Sequence, residues 1–166
     1  MSNHCPCRSD ERTAPLGQRS AFTLVELTIV LMILGILAAV AAPKFADSLH
    51  RFRAEAAARR VAADLARVQS YAQLVSASKT LSFTIGSNSY AAAGVPDLDQ
   101  PSQTLYVDLG ETPYPAVVAS ADFGGATSLS FNIYGAPSAA GTVVVQAGDY
   151  VRTVEVASTG AISVLP

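Results

Sequence analysis

The stretch that most constrains this chain is residues 24–42, LVELTIVLMILGILAAVAA, in which Glu26 is the one charged side chain. At about 1.5 Å of rise per residue, a helix of roughly 20 residues matches a hydrocarbon core of about 30 Å, so the run is of membrane length. A helix that is apolar all round is either buried or in lipid. A secretory signal is the first rival, but its apolar region is shorter, roughly 7 to 15 residues, and ends in a small-residue cleavage site. The alanines of residues 38–42 offer such a site. Against it stand the length of the run and the carboxylate near its start, which a disposable signal has no reason to carry. The flanks do not orient the segment: Arg8, Arg12 and Arg19 precede it with Asp10 and Glu11. Lys44, Arg51, Arg53, Arg59 and Arg60 follow it with Asp47 and Glu55.

A chain of 166 residues holds one domain, and here 50% of them are hydrophobic against 14% charged. One concentrated apolar segment ahead of an ordinary domain explains that imbalance. The net charge of −2 gives no overall pull toward nucleic acid or anionic lipid. Cys5 and Cys7 are the only cysteines and both sit at the extreme N-terminus, which excludes a disulfide framework for the folded body.

Beyond Pro43 the pattern becomes that of an amphipathic helix. Phe45, Leu49, Phe52 and Ala56 recur at spacings of four, three and four, and after a phase shift Val61, Leu65, Val68, Ala72 and Val75 repeat the rhythm. The second stripe is expected to face a core, with residues 51–60 projecting from a less buried stretch. After Ser78 short β-type runs take over, at 80–85, 89–93, 105–109, 128–134, 142–146, 150–156 and 161–165. Gly86-Ser87-Asn88, Gly135-Ala136-Pro137, Gly148-Asp149 and Ser158-Thr159-Gly160 separate them. Alternation at Leu129, Phe131 and Ile133 implies one buried face for the helical stripe to cover. The expected class is α+β, a long N-terminal helix packed on antiparallel sheet.

At the junction, Phe22-Thr23-Leu24-Val25-Glu26-Leu27 closely resembles the type III signal sequence of type IV pilins and type II secretion pseudopilins. The resemblance implies that a prepilin peptidase cuts between Ala21 and Phe22 on the cytoplasmic face and methylates the amino group of Phe22. It divides the chain into a removed leader at 1–21, a transmembrane and filament-core helix at 22–43, an amphipathic helix at 44–78 and a β-rich head at 79–166. It further implies a single pass of the bacterial inner membrane with the head in the periplasm, followed by assembly into a filament. The implied partners are other pilins or pseudopilins through their N-terminal helices, the peptidase, the inner-membrane assembly platform and membrane lipid. Gly35 and Pro43 fall where the family's helix has its glycine and proline, which implies that this part can unwind as the subunit leaves the membrane. One departure is Ala21, where the family usually has glycine. Alanine is the smallest replacement, so slower cleavage is expected rather than none.

Glu26 needs a partner, since a carboxylate in the apolar segment costs about 2.5 to 3.5 kcal/mol at a helix centre and less near the interface. In the family that partner is the free N-terminus of the neighbouring subunit, an ion pair in the filament core that helps set axial register. The bland alternative is a snorkelling interfacial residue with no special role.

Other candidates carry less. His4 and His50 are the only histidines, one in the leader and one on the helix, so the head assembles no histidine-based catalytic pair or metal cluster. No metal and no cofactor is expected. Cys5 and Cys7 lie in the segment to be removed. Asp97, Asp99, Asp108 and Glu111 have hard, calcium-type ligands, but without EF-hand spacing they read as solvated loop carboxylates. Arg51, Arg53, Arg59 and Arg60 spread over more than one helix face, which argues for a solvated or headgroup-facing surface over nucleic-acid binding. The tyrosines read as core edges or turns.

Within the family, Asp64-Leu65-Ala66-Arg67-Val68-Gln69-Ser70, Phe131-Asn132-Ile133-Tyr134-Gly135-Ala136-Pro137, Gly141-Thr142-Val143-Val144-Val145 and Val156-Ala157-Ser158-Thr159-Gly160 resemble the H-type minor pseudopilins, the group that includes FimT-like minor pilins. The mature chain has no C-terminal cysteine pair and the sequence no tryptophan, features that major pilins and major pseudopilins respectively carry. A minor subunit is therefore expected. The alternatives are the main subunit of an adhesion, motility or DNA-uptake pilus, or a membrane-anchored ligand-binding domain. No nucleophile–base pair, phosphate loop or metal spacing is present, so an enzyme is not expected.

Overall fold

The computed structural model describes residues 22–98 and 100–166. Contacts divide the chain into two units, Met1–Val40 and Ala41–Pro166. One helix, α1 (Leu24–Leu74), contributes to both, and its helical backbone runs through Pro43. Eight strands follow: β1 (Lys79–Phe83), β2 (Ser89–Pro96), β3 (Thr104–Asp108), β4 (Val117–Asp122), β5 (Ser128–Phe131), β6 (Gly141–Ala147), β7 (Tyr150–Val156) and β8 (Ile162–Leu165).

The second unit is a helix on two antiparallel four-stranded sheets, ordered β3-β2-β1-β5 and β4-β6-β7-β8. Helical spacing explains the packing of residues 54–72. Ala54, Ala57, Ala58, Val61, Leu65, Val68 and Ala72 recur every three or four residues, and all are wholly buried. Opposite them the first sheet supplies Leu81, Ala92, Leu129 and Phe131, and the second supplies Val118, Val143, Val145, Val154 and Val156, all in one core. The alanines let the helix approach closely at its upstream end. Phe83 bridges the sheets, with ring centroids 5.4 Å from Tyr90 and 6.0 Å from Phe123.

Two of the expected separators close hairpins. Thr80 pairs with Ala93 and Phe83 with Tyr90 across the turn at Gly86. Ala147 pairs with Tyr150 around Gly148 and Asp149, and Gly148 has φ of +58°, the left-handed geometry such a two-residue turn needs at its first position.

Three readings are corrected. The strands divide into two sheets rather than one, and β4 was not anticipated. A register shift between Val118 and Ser120 puts its buried residues, Val118 and Ala121, three apart, which hides the period-two signal. Ile133 is not on the buried face. β5 stops at Phe131 because the Asn132 side chain accepts hydrogen bonds from the backbone N–H of Tyr134 and Ala136, both at 2.9 Å, and turns the chain outward. The limits of the buried helical face also differ: Ala54, Ala57 and Ala58, inside the run 51–60 expected to project, are buried, and Val75 at the far end of the second stripe is exposed. Core contact therefore begins at Ala54.

Candidate membrane and assembly site

Residues 22–43 hold the sites that the N-terminal resemblance implies. Thr23 stands just before α1, and its Oγ1 accepts a hydrogen bond from the Glu26 backbone N–H at 3.1 Å. The Thr23 carbonyl accepts the first helical bond, from the Leu27 N–H at 3.1 Å. Thr23-Leu24-Val25-Glu26 is thus the Thr-x-x-Glu pattern of a capping box, with a carboxylate in the first turn where the helix dipole favours negative charge. Glu26 has a local reason to sit at this position, three residues after the cap, besides any role between subunits. The capping pattern was legible in the sequence but was read only as part of the cleavage motif.

From Leu24 to Leu37 the apolar side chains are exposed on every side of the helix. The most apolar stretch is of membrane-spanning length and none of it is buried. In water such a surface has no stable place, and it calls for an apolar cover. A Cβ at Gly35 would meet nothing within 4 Å, so this glycine is not required by packing within the chain. Ala21 and the leader lie outside the described residues, as does the side chain of Pro43. Phe22 is exposed at the head of the segment.

In the second unit the structure brings together polar residues that the sequence reading left apart. Asp64 falls on the buried face of α1, between Val61 and Leu65, and is 3% exposed. Its Oδ2 accepts a 2.6 Å bond from the Tyr90 hydroxyl and a 2.9 Å bond from Arg60 Nε. A buried carboxylate is tolerated because both a cation and a hydroxyl reach it. Burial first, and the Asp64 charge second, hold the Tyr90 proton well above the ordinary tyrosine range. For Arg60, burial works against the charged form, but the Asp64 carboxylate more than offsets it and the guanidinium is held charged more firmly than usual. Arg60 is therefore a structural partner, not part of a solvated surface, and Tyr90 is core rather than edge. Arg59 pairs within the helix with Glu55 at 2.5 Å.

Two glutamines one turn apart tie the helix to the loops of the head. Gln69 Nε2 donates to the carbonyls of Gly135 at 2.7 Å and Gly160 at 3.1 Å, and Gln73 Nε2 donates to that of Tyr134 at 3.0 Å. Gly160 has φ of +84°, and a Cβ there would lie 2.6 Å from the Gln69 amide and 2.9 Å from the Gly135 carbonyl. Three of the segments that carried the H-type resemblance meet at this clamp, through Gln69, Gly135 and Gly160. Asp97, Asp108 and Glu111 line a groove with Arg60 and Tyr106, while Asp99 lies outside the described residues. His50 is half-buried with its Nδ1 enclosed, and a side chain at Gly148 would meet that nitrogen at 2.9 Å.

Residues 17–42 match the family model described as the prokaryotic N-terminal methylation motif. The chain also resembles a crystal structure of the type IV minor pilin FimU of Pseudomonas aeruginosa strain PAO1. The TM-score is 0.52 at 17% identity, over 70% of this chain and 90% of that one. Its fold is like that of a type IV pilin. A second crystal form of FimU gives a TM-score of 0.49 at 16% identity, over 68% of this chain and 92% of that one. Comparison with curated proteins gives no significant match. The order of parts is an apolar helical segment with nothing buried, then a helix stripe covered by antiparallel sheet.

Proposed function

We propose that this chain is a minor subunit of a type IV pilus or type II secretion filament. Prepilin peptidase cuts between Ala21 and Phe22, the new amino group of Phe22 is methylated, and α1 anchors the chain in the inner membrane with its head in the periplasm. The assembly platform then draws it into a filament. The observation that carries this reading is the uncovered apolar segment inside a matched methylation motif, with Glu26 four residues after Phe22. In a filament, Glu26 would meet the free amino group of a neighbouring subunit, an ion pair favoured by the low dielectric around it. The minor role is supported by the FimU-like fold and by the absence of cysteine and tryptophan after residue 21.

The test is N-terminal sequencing and intact mass of membrane-extracted protein, expressed with and without a prepilin peptidase. A peptidase-dependent product that begins with N-methylated Phe22 is expected. A chain left at Met1, or cut near Ala42, would overturn the reading. On the same reading Glu26→Leu is cut normally but is missing from sheared or purified filaments.

A further inference from the structure

The helix α1 carries a second apolar stripe that the head leaves bare. Phe45, Leu49, Phe52 and Ala56 recur at helical spacing, and at about 100° per residue they share an arc of about 60°. Phe45 is 73% exposed and Phe52 63%, and Leu49 is exposed as well. The stripe that covers the sheets, Ala54 to Ala72, is centred about 160° away around the same axis. Where the two stripes meet, the helix turns one side to the head and an apolar side away from it. Further along, the outward side holds Arg59, Ala63, Ala66 and Ser70, so the bare apolar face ends at Ala56.

Basic residues border this face. Lys44 and Arg51 lie on one flank and Arg53 on the other, about 70 to 130° from its centre. Lys44 and Arg51 are exposed, and none of the three has a carboxylate partner among the described residues. Asp47 is the only acid between Lys44 and Arg53. An apolar face flanked by cations suits a helix that lies in the plane of a membrane surface. There the rings enter the boundary between headgroups and acyl chains, and the long cations reach the phosphates. A spanning helix has no use for such one-sidedness, because lipid surrounds it. The stripe also follows closely on the apolar segment that ends at Ala42, so the same bilayer is within reach.

We propose that residues 44–56 of α1 form an interfacial surface for anionic phospholipid. Phe45, Leu49 and Phe52 sit at the acyl boundary, Lys44, Arg51 and Arg53 engage lipid phosphates, and the head stands on the far side of the helix. Pro43 has no backbone N–H, which lowers the cost of a change in helix direction between the spanning segment and this surface. The contact covers the bare stripe while the chain is a single membrane-held subunit. Extraction from the membrane then has to release this face as well as the spanning segment, and anionic lipid slows it. The inference goes beyond the proposed filament role and rests on that reading only for the presence of the bilayer.

The experiment uses the full chain in a Cys5→Ser, Cys7→Ser background. One cysteine at a time, Leu31→Cys, Phe45→Cys, Asp47→Cys, Leu49→Cys or Phe52→Cys, carries an environment-sensitive fluorophore. Chains are reconstituted, at no more than one per vesicle, in phosphatidylethanolamine with phosphatidylglycerol or in phosphatidylcholine alone. Spin-labelled lipid and aqueous iodide are the two quenchers. In the anionic vesicles the labels at Phe45, Leu49 and Phe52 should be quenched by lipid, and the label at Asp47, on the opposite side of the helix, by iodide. Lys44→Glu with Arg51→Glu should lower the ratio of lipid to iodide quenching at Phe52 at least about fivefold, and phosphatidylcholine should lower it in the same sense. Iodide access at Phe45 and Phe52 would overturn the proposal, and the Leu31 label decides separately whether the membrane anchor stands. Lipid quenching at Phe45, Leu49 and Phe52 with Leu31 in water would keep the surface and sink the anchor. Equal lipid quenching at Phe45 and Asp47 would also overturn the proposal, because it marks a helix that passes through the interface. So would protection that arises only at high protein density, which marks a second protein as the occupant.

Discussion

Residues 24–37 and residues 54–72 are both helical and both rich in apolar side chains, yet they follow opposite rules. In the first, apolar residues occupy every side of the helix and none is buried. In the second they occupy one stripe, Ala54 to Ala72, and that stripe is wholly buried. The amount of apolar surface does not separate the two, but its arrangement does. A stripe every three or four residues suits a surface that covers one side, such as a sheet, whereas a helix apolar all round needs a medium that covers every side. Charge tolerance differs in parallel. The first region holds Glu26 beside the helix start, and the second holds Asp64 only because Arg60 and Tyr90 close over it.

The sharpest way to break this comparison is to remove volume from each region. Leu65→Ala should destabilise the second unit by about 4 kcal/mol through lost burial and a residual cavity, read by denaturant unfolding in detergent. Leu31→Ala should leave that unfolding unchanged, and a comparable loss would mean that the first segment packs on the head. Charge insertion reverses the order. Leu31→Arg should cost about 3 kcal/mol of membrane insertion, seen as loss from the carbonate-resistant fraction, whereas Ser70→Arg on the exposed side of the helix should change neither readout by more than about 0.5 kcal/mol.

A smaller effect is expected at the buried carboxylate. Tyr90→Phe removes one of the two bonds to Asp64 and should cost about 2 kcal/mol. It should also alter the response to alkali. The folded chain keeps the Tyr90 proton well above the ordinary range, while the unfolded chain releases it near pH 10. Above about pH 10 the unfolded state therefore binds fewer protons, so the contribution of Tyr90 is fully present below that pH and is lost as pH rises further. Thermal unfolding of wild type should fall more steeply than that of Tyr90→Phe between about pH 10 and pH 11, and parallel curves would show that Asp64 does not depend on this hydroxyl. Smallest of all, Gln69→Ala leaves the Gly135 and Gly160 carbonyls without their amide donor and should cost about 1 kcal/mol, with hydrogen exchange rising in both loops.

Much of the fold was legible because local signals agreed with it. The stripe from Val61 to Ala72, the turns at Gly86, Gly148 and Gly160 and the strands flanking them are features of neighbouring residues. The misses have a common origin in long-range contact or local backbone irregularity. β4 was hidden by its register shift, and Ile133 was thrown outward by the side chain of Asn132. Gln69 looked like any polar residue on a helix until two loops, 66 and 91 residues later in sequence, presented carbonyls to it.

The sequence by itself determined that one segment is apolar on every side, that the following helix must cover a sheet, and that the residues around Phe22 are similar to a prokaryotic N-terminal methylation motif. These depend on spacing and residue type over short distances, which a linear chain displays directly. Only the tertiary structure decided that the strands divide into two sheets and that Asp64 is buried between Arg60 and Tyr90. Those outcomes require parts far apart in sequence to meet, and the energy of a buried charge or a shared carbonyl is set by the partner that arrives.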